Sequence, residues 1–283
     1  MAERTLITGT QNTWCPGCGN FTIQFALRNA IQKLADEGVP LETIVLVTGI
    51  GCHAKMADYL DINSFYSIHG RTIPVATGIK LANPELTVLC CAGDGDAYAE
   101  GLDHLVFAAK RNSDITVIVH NNRVYGLTTG QYTPTSPLGF RGRSTPGGTI
   151  EPPFNPLSLM LTSGAGFIAR GTTRRMKELE DLISRGLRYR GFAFIDVLQI
   201  CASYFNVGEL YDRQGYALSG HDPADFEAAC RKAEEWDYNR DAPIGFGLFY
   251  RQEKPVFEEQ FDHRRLTAAD REDMIRAILA AKR

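Results

Sequence analysis

The stretch from Leu86 to Asn122 limits the possible folds of this chain more than any other. An apolar, β-branched run, Leu86–Ala92 (LTVLCCA), leads directly into Gly93-Asp94-Gly95-Asp96. A helical period follows, with Tyr98, Leu102, Leu105, Val106 and Ala109 along one stripe. A second apolar run, Ile115–His120, then ends on Asn121-Asn122. Strand, turn, helix and strand at this spacing form a βαβ unit, whose strands lie parallel with the helix covering one face. The runs are apolar at consecutive positions, which suits strands covered on both faces.

The rest of the chain repeats the theme. Further strands are expected at Thr43–Thr48, Phe65–Ile68, Gly166–Ala169 and Ala193–Leu198. Ile23, Leu27, Ala30, Ile31 and Leu34 form a helical stripe that stops before Gly38 and Pro40. The expected fold is α/β, a doubly wound and mostly parallel sheet. Residues 1–218 read as this domain with an N-terminal cysteine segment, and 219–283 as a more polar helical extension available for subunit contacts. Between Gly126 and Pro156 there are twelve Gly or Pro residues in 31, the mark of a long functional loop. Its Ser and Thr content suggests a water-excluding lid. The formal charge of −3 gives no general attraction to nucleic acid or anionic lipid. No apolar run approaches the roughly 20 residues that span a bilayer, and no secretory signal is visible, so a cytoplasmic location is expected.

The Gly-Asp-Gly and Asn-Asn pairings have a chemical reading. Glycines let backbone approach a phosphate closely, and a following helix N-terminus offers free N–H groups. Asp94 and Asn122 fall at the carboxyl ends of two strands, where open α/β sheets bind ligands. A carboxylate and an amide oxygen are hard donors suited to Mg²⁺ beside phosphates. The combination and its spacing resemble the motif of thiamine diphosphate enzymes. A dinucleotide site at Gly49-Ile50-Gly51-Cys52-His53-Ala54 is disfavoured, because the next strand ends in His69 rather than an acidic residue.

Seven cysteines, an odd number in a chain of this length, argue against a disulfide framework. Cys15 and Cys18 form a C-x-x-C pair in a polar, turn-like context, unlike a thioredoxin site. There is no second pair for zinc and no bacterial ferredoxin run. Cys52 and Cys201 each follow a strand end, on the same sheet edge as Asp94 and Asn122. Four thiolates meeting there suit one [4Fe–4S] cluster beside the cofactor. Cys90, Cys91 and Cys230 read as ordinary core or surface residues.

With these residues in place, the chain resembles the β subunits of two-subunit 2-oxoacid:ferredoxin oxidoreductases of the 2-oxoglutarate type. The resemblance rests on WCPGCGN (14–20), GIGCHAK (49–55), HGRTIPVATGIKLANPEL (69–86), GDGDAYAEG (93–101), NNRVYGLTTGQYTPTSP (121–137), IEPPFNPLSL (150–159) and FIDVLQICASYFN (194–206). Beyond residue 206 the likeness is loose. The resemblance implies cluster ligands at Cys15, Cys18, Cys52 and Cys201, and Mg²⁺ held by Asp94, Asn122 and the carbonyl of Val124. It implies thiamine diphosphate contacts at Ile50, Gly51, Cys52, His53, His69, Gly93, Gly95, Asp96, Gly126 and Leu127. Lys55 falls at the substrate pocket, and His69 and Lys55 are its candidate catalytic groups. Arg71, Arg141 and Arg143 are candidates to meet an anionic substrate or coenzyme A. Three positions depart from the pattern: Ile200 where Pro is common, His53 for Ser, and Thr129 where some relatives carry Lys or Gly.

The activity so implied is thiamine-dependent oxidative decarboxylation of a 2-oxoacid with coenzyme A. 2-Oxoglutarate would give succinyl-CoA and CO2, with electrons passing through the cluster to ferredoxin; the same site serves the reverse, CO2-fixing direction. The partners implied are ferredoxin and an α subunit carrying the pyrimidine-binding domain and its activating glutamate, in an (αβ)2 assembly. The alternatives are a pyruvate-specific or broad-specificity relative, and a non-redox thiamine-dependent decarboxylase.

Overall fold

The computed structural model describes residues 5–261 and 268–281. Helices are α1 (Asn20–Asp36), α2 (Met56–Tyr59), α3 (Thr72–Ala82), α4 (Leu102–Arg111), α5 (Pro156–Ser163), α6 (Met176–Leu187), α7 (Gly208–Gln214), α8 (Phe226–Glu234) and α9 (Ala268–Ala281). Strands are β1 (Ile44–Thr48), β2 (Asn63–Tyr66), β3 (Thr87–Gly93), β4 (Thr116–Asn121), β5 (Phe167–Thr172), β6 (Ala193–Leu198), β7 (Gly215–Ala217) and β8 (Ile244–Arg251). The described strands form one eight-stranded sheet in the order β2-β1-β3-β4-β6-β5-β8-β7. All neighbours are parallel except β5 and β8.

This order places a switch point at β1. The chain leaves β1 toward β2 on one side and leaves β3 toward β4 on the other. The two loops diverge and open a crevice at the carboxyl edge, as doubly wound sheets do. The βαβ unit read from Leu86 to Asn122 is present, with β3 and β4 paired from Leu89↔Thr116 to Gly93↔His120. Helix α4 starts later than the stripe suggested. The residues after the Gly-Asp-Gly turn, Asp96–Glu100, form a π-helical turn, which places Tyr98 inward before α4 begins.

Each sheet face carries its own core, because side chains alternate along every strand. Cys90 packs with Val88, Val117 and Phe194 on one face. Cys91 packs with Leu89, Ile118 and Ile195 on the other, under the α1 stripe. Both thiols are buried, as expected of core residues.

Two expectations need correction. The segment after residue 218 is not simply helical. It contains β8, which pairs antiparallel with β5 across Phe167↔Arg251. Ala229, Ala233, Trp236, Tyr238, Ile244, Phe246 and Phe249 all belong to a sheet-face core. Nor is the long loop a free lid in its first half. Thr133, Thr135 and Ser136 are buried, and their hydroxyls bond inward. The hydroxyls that suggested a lid instead satisfy polar groups beneath the loop.

Trp236 stacks on Tyr238 with ring centroids 4.3 Å apart. It also lies under the guanidinium groups of Arg123 at 5.4 Å and Arg170 at 5.3 Å. Trp236→Ala is expected to cost about 3–5 kcal/mol and to move a single cooperative transition in denaturant unfolding. A separate early transition for the C-terminal segment would show that this segment folds apart from the sheet.

Candidate functional site

Two adjoining cavities open at the carboxyl edge. The first is lined by the turns after β1 and β3 and, after β4, by Asn122 and Val124–Thr128. The second lies between Thr13–Cys18, Cys52, Lys55 and Cys201–Tyr204. Cys52, Asn122, Gly126, Leu127 and Gln199 line both.

Asp94 sits at the floor of the first cavity, 2% exposed. Thr133 donates its hydroxyl to Oδ2 at 2.6 Å, and the Thr135 hydroxyl lies 3.0 Å from the same oxygen. Burial pushes its carboxyl up to about 6, against the lowering effect of those two hydroxyls. Opposite, Asn122 Oδ1 accepts the N–H of Val124 at 3.1 Å and closes a tight turn. Arg123, at the centre of that turn, has a left-handed backbone with φ 62. Such strain persists only where the surroundings over-determine it. Here the buried Arg123 side chain donates to Thr135 O at 2.8 Å and to Tyr238 O, while Ser136 holds its carbonyl at 2.7 Å. Asp94, Asn122 and Val124 all line this cavity, and between them they carry a carboxylate, an amide oxygen and a backbone carbonyl. This hard oxygen set fits Mg²⁺.

The glycines of the turn make room for rings. A Cβ at Gly95 would come within 2.2 Å of the Tyr125 ring, and one at Gly93 within 2.8 Å of His53 Nδ1. His53 is buried and lies 3.3 Å from Asp96 Oδ2 through Nε2. Asp96 lines the cavity, but its Oδ1 accepts the Gly70 N–H at 2.5 Å, tying the β2–α3 loop to the turn. His69 sits at the mouth, 40% exposed, 3.8 Å from Glu100.

The cysteines come together through backbone contacts. The Cys15–Cys18 turn closes with Cys18 N–H donating to Cys15 O at 3.0 Å. Gly19 N–H then donates to Ile200 O at 3.1 Å, docking the pair beside Cys201. Trp14 donates its indole N–H to Cys52 O at 2.7 Å. Cys52 and Cys201 sulfurs approach the Gly126 Cβ position to 3.7 and 3.6 Å, which brings the two thiols together over this glycine. Burial pushes the Cys52 thiol up to about 11, and the neighbouring Cys18, Cys201 and Cys15 add to it against Lys55. Burial also raises Cys18, again with Cys201 and Cys15 contributing. All seven cysteines are free thiols. Among the described residues, no three His, Cys, Asp or Glu side chains converge tightly enough for a single ion. The four cysteines Cys15, Cys18, Cys52 and Cys201 line one cavity.

Every cofactor contact expected from the sequence lines the first cavity, and all four cysteines line the second. The two catalytic candidates are divided. His69 lines the first cavity, and Lys55 the second, where it donates to Thr13 Oγ1 at 2.8 Å. Arg71, Arg141 and Arg143 line neither. Sequence reading missed Asn20, His120, Tyr125 and Gln199 on the walls, and Thr133 and Thr135 beneath Asp94. The first, second and fourth of these were detectable as polar residues within two positions of a named ligand.

The comparisons agree with this geometry. Residues 49–197 match the thiamine pyrophosphate enzyme C-terminal TPP-binding domain. Residues 201–265 match the C-terminal region of pyruvate ferredoxin oxidoreductase beta subunits, which corrects the expectation of a loose likeness beyond residue 206. The 2-oxoacid:ferredoxin oxidoreductase subunit beta of Saccharolobus solfataricus is 41% identical over 263 residues, covering 88% of this chain and 85% of that one. The 2-oxoglutarate synthase subunit KorB of Methanothermobacter thermautotrophicus is 42% identical over 192 residues, covering 68% and 66%. A solved 2-oxoglutarate:ferredoxin oxidoreductase from Magnetococcus marinus, with 2-oxoglutarate, coenzyme A and succinyl-CoA bound, superposes with a TM-score of 0.85 at 30% identity, over 97% of this chain and 89% of that one.

The Asp94 carboxyl generates a pH-dependent prediction for the cation-free protein. Its folded pKa, about 6, lies above the unfolded value near 3.8. Its favourable contribution is therefore complete below the unfolded value and is lost as pH rises through the folded one. Asp94→Asn is expected to stabilise the cation-free chain by about 3 kcal/mol at pH 7.5 and to have little effect at pH 4. Melting curves at the two pH values measure this difference.

Proposed function

The chain belongs to the β subunits of the 2-oxoacid:ferredoxin oxidoreductases, and from that premise we propose that it oxidatively decarboxylates 2-oxoglutarate with coenzyme A. The products are succinyl-CoA, CO2 and reduced ferredoxin. One observation carries this reading: the Asp94–Asn122 oxygen set and the four-cysteine set line two cavities that share a wall. A non-redox decarboxylase has no use for the second. The substrate assignment draws support from the KorB relative and from the ligands of the Magnetococcus marinus enzyme.

When bound, thiamine diphosphate supplies the electron sink for decarboxylation, and a [4Fe–4S] cluster takes the electrons singly. In this reading Asp94, Asn122 and the Val124 carbonyl hold Mg²⁺. The glycine-lined turn at 93–95, with Gly126 and Leu127, leaves space for the diphosphate. Cys15, Cys18, Cys52 and Cys201 hold the cluster. Lys55 offsets the charge of the crowded thiolates and is our candidate to meet a substrate carboxylate. His69, at the first cavity's mouth, offers a proton donor to a substrate or diphosphate oxygen.

The activating glutamate comes from an α subunit in an (αβ)2 assembly, so the chain alone is inactive. Exposed Phe65, Tyr66 and Ile68 on edge strand β2 and the residues just after it lie beside the cavity mouth that this subunit would close. Seven free thiols suit a reducing, cytoplasmic setting. Among the described residues, no helix is long and apolar enough to cross a membrane.

The test is iron and acid-labile sulfide analysis of the chain purified anaerobically with its α partner. About four of each per αβ unit are expected for a single cubane. Thiamine diphosphate without iron would overturn the redox reading in favour of a non-redox decarboxylase. Cys18→Ser is expected to abolish 2-oxoglutarate-dependent viologen reduction while thiamine diphosphate stays bound. A kcat/KM for pyruvate above that for 2-oxoglutarate would reassign the substrate.

A further inference from the structure

A strip of buried polar side chains runs along the wall between the two cavities, and neither the fold nor the ligand sets account for it. Asn20, His120 and Gln199 are each nearly fully buried. They come from three elements: the start of α1, the end of β4, and the residue after β6. His120 Nδ1 and Asn20 Oδ1 lie 2.8 Å apart. All three side chains line the first cavity. Gln199 in turn directs its amide Nε2 at the Cys18 sulfur, 3.8 Å away. Gln199 is the one side chain named here that lines both cavities.

Buried polar groups are costly unless paired, so three amide and imidazole groups in one wall require a compensating partner. For Gln199 that partner is the Cys18 sulfur. Resting on the cluster reading above, we propose that Gln199, packed in this wall with Asn20 and His120, is a positioning residue that sets the reduction potential of the cluster through a hydrogen bond to the Cys18 sulfur. The oxidised cluster gains one electron and becomes more negative by one unit. N–H groups aimed at a ligand sulfur stabilise that added charge, so they raise the potential. The electron comes from the 2-oxoacid and leaves to ferredoxin. The wall thus adjusts the driving force of each transfer without touching substrate.

The experiment uses the αβ holoenzyme. Gln199→Met keeps the length and the burial but removes the donor. It is expected to retain wild-type iron content and to shift the midpoint, measured by EPR-monitored redox titration, to more negative potential. Gln199→His, which keeps an N–H donor, is expected to recover part of the shift. Full iron with an unmoved midpoint would overturn this inference and leave the cluster reading intact. A wild-type holoenzyme without iron would overturn both. Wild-type enzyme labelled with 15N in the glutamine side-chain amides supplies a measurement free of folding effects. A 15N hyperfine coupling to the reduced cluster is expected, and its absence would also overturn the inference.

Discussion

The interior charge at Asp196 determines how the cofactor edge is built. This carboxylate sits in the middle of β6, fully buried, and burial pushes its pKa upward. Such a charge is tolerated only when paired and hydrogen-bonded. Its partners come from four other places in the chain: Tyr98 at 2.8 Å, Asn121 Nδ2 at 2.9 Å, Tyr238 at 2.5 Å, and the Arg170 guanidinium at 4.0 Å. Tyr98 belongs to the π-helical turn after the Gly-Asp-Gly segment. Asn121 precedes the ligand candidate Asn122, and its Oδ1 and Asp94 Oδ2 both lie within hydrogen-bond reach of the one Thr135 hydroxyl. The carboxylate therefore ties both halves of the oxygen set, from behind, to one point.

That connection explains why the C-terminal segment is part of the sheet. Tyr238 and Trp236 complete the enclosure of Arg123 and Arg170, and Arg123 holds the strained turn that presents Val124. A polar-looking tail is thus required two layers below the cofactor edge. The neighbouring wall follows a similar logic, with Gln199, one residue past β6, facing both cavities. Residues that bind the cofactor and residues that hold the cysteines are consequently not independent sets.

Much of this was legible in advance, for identifiable reasons. The Leu86–Asn122 unit announced itself because apolar runs, glycines and a helical stripe each leave a local signature. The four cysteines could be grouped because two of them follow strand ends, and strand ends of a parallel sheet share an edge. Three features were not legible. Strand β8 carries glycines at 245 and 247 and sits among polar neighbours, which hides its period. Thr133 and Thr135 read as lid residues because a hydroxyl in a loop gives no sign of facing inward. His120 reads as the end of an apolar strand, and only its neighbours reveal it as part of a buried polar strip.

The sequence by itself determined the fold class, the βαβ unit, the cofactor turn and the identity of the four thiols. These follow from local periodicity and from spacing along one chain. Only the tertiary structure decided which hydroxyls support Asp94, that β8 closes the sheet against β5, and that two cavities share one wall. Those outcomes depend on pairing across long separations, such as Tyr98 with Asp196 or Gln199 with Cys18. A buried polar group takes whichever partner the packed core brings within reach, and that choice is settled only when the layers close.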